Sequence, residues 1–176
     1  MLVRTLNLLY RAATLVASLF TYIACGAGIL LTVFVVLASV MRYVVGSPFG
    51  FTEELVGLLF SALVFLALPY AAVNDQHIRV AIVTDRLPHR LRLATRWLSY
   101  ALILVFCIVF GSLSWQFATF SYDINAKSDV ARLVLYPWMA LTTVGVTLLG
   151  IIVALKLARS IAGAEASDET PPLLPG

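Results

Sequence analysis

Charged residues divide this chain into long apolar intervals. No Asp, Glu, Lys, Arg or His interrupts residues 12–41, and the same holds for 55–74, 97–122 and 133–155. An α-helix rises about 1.5 Å per residue, so roughly 20 apolar residues cross a ~30 Å hydrocarbon core. Each interval is long enough. Backbone groups find no water inside a bilayer, so each should be helical. The pattern predicts an all-α integral membrane protein with four transmembrane helices, over about 14–40, 54–74, 96–121 and 136–157. Together they form one domain, 1–162. The first interval exceeds what spanning needs, so its helix must tilt or extend past the bilayer.

The breaks between intervals carry local signals. "RYVVGSPFGFTEE" holds Gly46, Ser47, Pro48 and Gly50, all turn formers. Thr52 is placed to N-cap the second helix, with Glu53 and Glu54 in its first turn, where the helix dipole favours anions. Pro137 suits the first turn of the fourth helix, where a missing N–H matters least. Tyr122, Tyr136 and Trp138 fit an interfacial aromatic belt. Pro69, deep in the second span, removes a backbone hydrogen bond and predicts a kink, passive or hinge-like. Ala24, Gly26 and Gly28 form a small-residue patch that would let a neighbouring helix approach. Residues 163–176, acidic and proline-rich, read as a disordered cytoplasmic tail.

Composition agrees. The chain is 61% hydrophobic and 12% charged, where a soluble domain carries about 25% charged residues. Arg4 and Arg11 before an apolar run, with "YIACG" around Cys25, imitate a cleavable signal. The apolar run continues to Met41, well beyond a signal's hydrophobic region. Cys25 and Cys107 show no metal or redox spacing.

The net charge of +3 does not point to nucleic acid, because the cations flank apolar runs instead of forming a basic face. One side of the predicted membrane holds Arg4, Arg11, Arg79, Arg86, Arg90, Arg92, Arg96, Lys156 and Arg159, nine in all; the other holds Arg42, Lys127 and Arg132, which is three. Lys and Arg mark the cytoplasmic side. Both termini and the connection 75–96 are therefore expected to be cytoplasmic.

Intramembrane ionisable residues mark ion pathways and catalysis. The four intervals have none, and haem would need an axial ligand inside a span, where neither His77 nor His89 lies. No catalytic residues, cofactor or metal are expected, and the chain is not read as an enzyme. A four-helix protein without its own polar pathway suits a partner subunit. The alternative is a stand-alone assembly or scaffold protein.

Particular residues narrow this. Arg42–Tyr43 closes the first span, a glycine-bearing turn follows, and Glu53–Leu55 opens the second, along which lie Phe60 and Phe65. "NDQHIRVAIVTDRLP" then holds His77, Ile78, Val80 and Leu87–Pro88, followed late in the chain by Pro137–Trp138 and Val144–Gly145. This order and spacing resembles the small membrane subunit of TRAP transporters, the DctQ-like family, over about 12–160. The chain departs from the family pattern at Gly57, Ala62, Ala67–Leu68 and Thr143.

The resemblance implies a subunit of the bacterial inner membrane that scaffolds a large permease for sodium-driven uptake of an organic acid. Its partners would be that large membrane subunit, a periplasmic substrate-binding protein and membrane lipids. Sodium coupling would belong to the large subunit. The motif residues are Arg42, Tyr43, Glu53, Glu54, His77 and Pro137. Arg42 and Glu54 flank the outer turn, either as an ion pair or as two separately solvated charges. Glu53, Asp123, Lys127 and Asp129 are candidate points for periplasmic docking. His77 is placed to bond a neighbouring backbone group or a lipid headgroup. Arg79, Arg86, Arg90, Arg92 and Arg96 are expected to anchor the cytoplasmic connection on anionic headgroups.

Overall fold

The computed structural model describes residues 2–47, 49–74 and 89–161. Four helices run through them: α1 Leu2–Val40, α2 Thr52–Val73, α3 His89–Asp123 and α4 Tyr136–Ile161. All four are long and apolar enough to cross a membrane. They alternate in direction. One end of the bundle, here the hairpin end, carries the connections 46–51 and 124–135. The other, the basic end, carries Tyr10, Val73, Trp97 and the last turns of α4. His77, Arg79, Arg86 and the predicted tail lie outside the described residues.

The first helix is longer than a bilayer crossing needs, as its charge-free interval predicts. The 39 residues of α1 measure about 58 Å at the usual rise. A π-helical turn, Met41–Val45, prolongs it. Gly46, at φ 73°, stops it in a left-handed conformation that costs glycine nothing, and the Ser47 N–H donates to the Met41 carbonyl at 3.1 Å.

One boundary expectation needs correction. Thr52 is the first residue of α2 and not its N-cap, which is Phe51. Its hydroxyl turns back to the Phe49 carbonyl at 2.8 Å and tightens the turn. Glu53 and Glu54 do occupy the first turn. The third span, Trp97–Asp123, starts where the charge-free interval placed it, but its helix begins earlier, at His89. Arg90, Arg92 and Arg96 therefore lie on the opening of α3 instead of in the connection. Arginine is a good helix former, so a helix need not end where charge begins.

The packing is uneven. α2 lies against α1 and α4, while α4 also meets α3 and part of α1. The largest fully enclosed side chains among the described residues, Leu66, Pro69, Val146, Ile152 and Val153, all belong to α2 and α4. Among the described residues, the fully buried side chains of α1 are alanines, Ala13, Ala17, Ala24 and Ala38, with Tyr10 packed partly buried beside them. α3 contributes Cys107, Ala118 and Ser121.

Lipid is as apolar as leucine, so helices associate through close packing, and small residues permit it. Gly28 fits this: a Cβ there would meet Leu63 Cδ1 at 2.7 Å. Gly26 has nothing within 4 Å. Two residues on from buried Ala24, it has rotated about 200° away from α2. The predicted patch is therefore Ala24 and Gly28 without Gly26.

Candidate functional site

The polar chemistry of the hairpin end converges on Glu54. After α3 the chain turns through Asn125, at φ 49°, and forms a short hairpin. Lys127 bridges to Val134 in antiparallel fashion. Ser128 N–H donates to the Leu133 carbonyl at 2.9 Å, and Leu135 N–H to the Ala126 carbonyl at 3.2 Å. Arg132 closes the turn with φ 53°, a left-handed conformation that costs a non-glycine residue about 1–2 kcal/mol.

The Glu54 carboxylate reaches into this hairpin from the first turn of α2. Ser128 Oγ donates to Oε2 at 2.7 Å, Ala131 N–H to Oε2 at 2.9 Å, and Val130 N–H to Oε1 at 3.0 Å. Ser128 Oγ accepts in turn from Leu133 N–H at 3.2 Å. Successive backbone N–H groups forming a concavity bind anions well, and hydrogen bonds to a charged acceptor are the strong ones. One half-buried carboxylate thus organises the tip of a loop more than seventy residues away in the chain. Val130 then rests on Gly50, closing the two connections against each other.

This placement decides the Arg42–Glu54 question. They are not paired. Both Glu54 oxygens are taken by the hairpin, and Arg42 lies 5.9 Å from the centroid of the Tyr43 ring on the π turn. Tyr43 is exposed, and so are Glu53, Asp123, Lys127, Asp129 and Pro137. Pro137 sits in the first turn of α4, as expected. Around the same level Tyr122 meets Tyr136 edge-on at 5.4 Å, and Ser121 Oγ contacts Met139 Sδ at 3.0 Å.

Midway through the bundle, α2 and α4 touch backbone to backbone. Pro69 has no N–H to offer the Phe65 carbonyl four residues earlier. Gly145 faces that carbonyl so closely that a Cβ would land on it. The glycine Cα–H is left pointing at the oxygen, a weak hydrogen bond common between packed helices. Pro69 is fully enclosed at this crossing. The late Val144–Gly145 motif therefore has a physical role. Phe65 also stacks on Phe110 of α3, with centroids 5.4 Å apart.

Sequence reasoning missed the basic end of α4. Lys156, counted as a membrane-flanking cation, is buried, and its Nζ donates to the Val73 carbonyl at 2.9 Å. Arg159 lies 4.6 Å from the Tyr10 ring of α1, a cation–π distance. Trp97 Nε1 of α3 donates to Ser160 Oγ at 3.4 Å. The signal was present. Lys156 continues the stripe Gly145, Leu149, Ile152, all on one helical face.

On the outside of α4, an apolar groove of about 300 Å³ opens between α1 and α3. Val16 and Phe20 line one wall and Trp115 the other, with Val144, Leu148 and Ile151 among the residues of its floor. The hydroxyls of Thr143 and Thr147, also in the floor, donate to carbonyls of their own helix. The groove can hold apolar matter and offers no acid, base or nucleophile. Among the described residues, no three His, Cys, Asp or Glu side chains gather as metal ligands.

Two comparisons bear on this arrangement. A protein of Haemophilus influenzae, named "Putative TRAP transporter small permease protein", is 27% identical over 104 residues, 59% of this chain and 63% of that protein. The aligned part thus spans less than two thirds of that relative. The family model described as tripartite ATP-independent periplasmic transporters, DctQ component, matches residues 31–163.

Proposed function

The chain belongs to the DctQ family of tripartite ATP-independent periplasmic transporter components, and on that premise we propose that it scaffolds a large permease subunit in the bacterial inner membrane. The transporter takes up an organic acid delivered by a periplasmic binding protein, driven by sodium. The observation that carries this reading is the family match over residues 31–163. The bundle supports the division of labour. Its middle is pinned by packing and a backbone contact, with no carboxylate at that level to couple an ion. Substrate and sodium then belong to the large subunit, and this chain contributes area and rigidity.

In this reading the hairpin end faces the periplasm and the basic end the cytoplasm, following the nine-to-three split of cations. Glu53, Asp123, Lys127 and Asp129 are exposed there, as are Arg42 and Arg132, and the first four serve as docking points for the binding protein. Arg79, Arg86, Arg90, Arg92 and Arg96 hold the opposite side at anionic headgroups.

Purification of the tagged chain from mild detergent tests the scaffold role. A single large polytopic partner at near-equal amount is expected. Recovery of the chain only with copies of itself, across several detergents, would favour the stand-alone scaffold. With the partner in hand, Glu53→Lys and Asp129→Lys should lower sodium-driven uptake without lowering membrane expression. Unchanged uptake in both variants would remove the docking assignment.

A further inference from the structure

Lys156 is the single charged side chain in the interior among the described residues, at 6% exposed. A lysine this near a helix end ordinarily runs its stem outward and leaves the ammonium in water. Here the ammonium turns inward. It donates to the carbonyl of Val73, the last residue of α2, at 2.9 Å. The last carbonyls of a helix have no intrahelical donor and carry the negative end of its dipole. The Asn74 N–H serves the Tyr70 carbonyl at 3.2 Å, and Lys156 serves Val73. A buried cation is tolerated only where such partners replace water.

We propose that Lys156 is a positioning residue: a cap supplied in trans by α4 that fixes where α2 ends. It completes a set. α2 is held at its start through Glu54 and the hairpin, at its middle through the Phe65 carbonyl and Gly145, and at its end through Lys156. One turn further along α4, Arg159 reaches α1 and Ser160 reaches α3. The last turns of α4 thereby fasten all three other helices.

The test separates a cap from a packed stem. Lys156→Met keeps the length of the side chain and removes the donor; Lys156→Arg keeps a donor. Both are measured by amide hydrogen exchange on the full chain in lipid nanodiscs. In Lys156→Met, the Val73 and Asn74 amides should exchange about tenfold faster, as expected for losing a charge-assisted bond at a helix end. Amides near Glu54 should keep their wild-type rates, and Lys156→Arg should restore protection at the end of α2. Unchanged exchange at Val73 and Asn74, or acceleration spread evenly along α2, would overturn the proposal. A second measurement uses the wild-type chain, so it stands even where a variant fails to insert. Solid-state NMR between 15Nζ of lysine and the 13C carbonyl of Val73 should report a separation of about 4 Å, as a hydrogen bond requires. A separation beyond roughly 6 Å, too long for any hydrogen bond, would overturn it equally.

Discussion

The most apolar 18-residue stretches of α3 and α4 have the same mean hydropathy, yet 33% of that stretch of α4 is buried and only 6% of that of α3. α2 and α1 differ in the same direction, at 28% and 11%. Apolarity therefore does not decide which helices form the interior. In lipid it cannot, because a leucine gains little by leaving acyl chains for another helix. α2 and α4 earn their central place through specific devices: a glycine against a carbonyl, a carboxylate in a nest of N–H groups, an ammonium on a helix end. α1 and α3 bury small residues against the pair, lay partly buried side chains such as Tyr10, Ile103 and Phe110 on it, and leave large faces open. Ile108 on α3 is 69% exposed and Leu15 on α1 is 71% exposed. The pinned pair is the rigid part, and the open faces are what it presents to its surroundings.

That contrast can be broken most severely at Gly145. Gly145→Ala puts a methyl group on the Phe65 carbonyl, and backbone yields poorly. A loss of about 1–3 kcal/mol is expected, read as a lower unfolding temperature in detergent. Gly28→Ala should cost less, since the obstruction is the flexible end of Leu63. Glu54→Ala comes next. It should speed exchange of the Val130 and Ala131 amides while leaving α3 untouched, and Ser128→Ala should do the same more weakly, since one donor goes and two remain. Slow exchange at both amides in Glu54→Ala would mean that the hairpin holds itself. The smallest effects belong to the open helices. Ile108→Ala should stay within about 0.5 kcal/mol of wild type. Gly26→Ala should be neutral or gain about 0.5 kcal/mol, because alanine is the better helix residue where space is free. A large loss at either position would show that α1 or α3 carries stability that the packing assigns to α2 and α4.

Much of this architecture was legible in the sequence, for a plain reason. Bilayer thickness converts charge-free length into spans, so four intervals gave four helices. Pro137 and the two acids opening α2 were legible because first-turn chemistry is local. The start of the third span was legible too, but not the helical extension before it, because a criterion built on absence of charge stops at Trp97, while the helix runs back through arginines to His89. The partner of Glu54 was hidden by distance along the chain. Ser128 and the Val130 and Ala131 amides carry no pattern that marks them as an anion site, and Arg42 was the nearer and more obvious counter-charge. Lys156 was misread because counting flanking cations treats every lysine near a helix end alike. Whether an ammonium turns to water or to a neighbouring carbonyl depends on which helix lies beside it.

The crossing of α2 and α4 has a consequence for how the pair finds its register. Pro69 strands one carbonyl on α2, and along α4 Gly145 is the position that meets it with a hydrogen instead of a side chain. Sliding either helix by one residue would bring Val144 or Val146 toward that oxygen. Two omissions, an N–H on one helix and a side chain on the other, thus act together as an address that leucine-rich surfaces could not write.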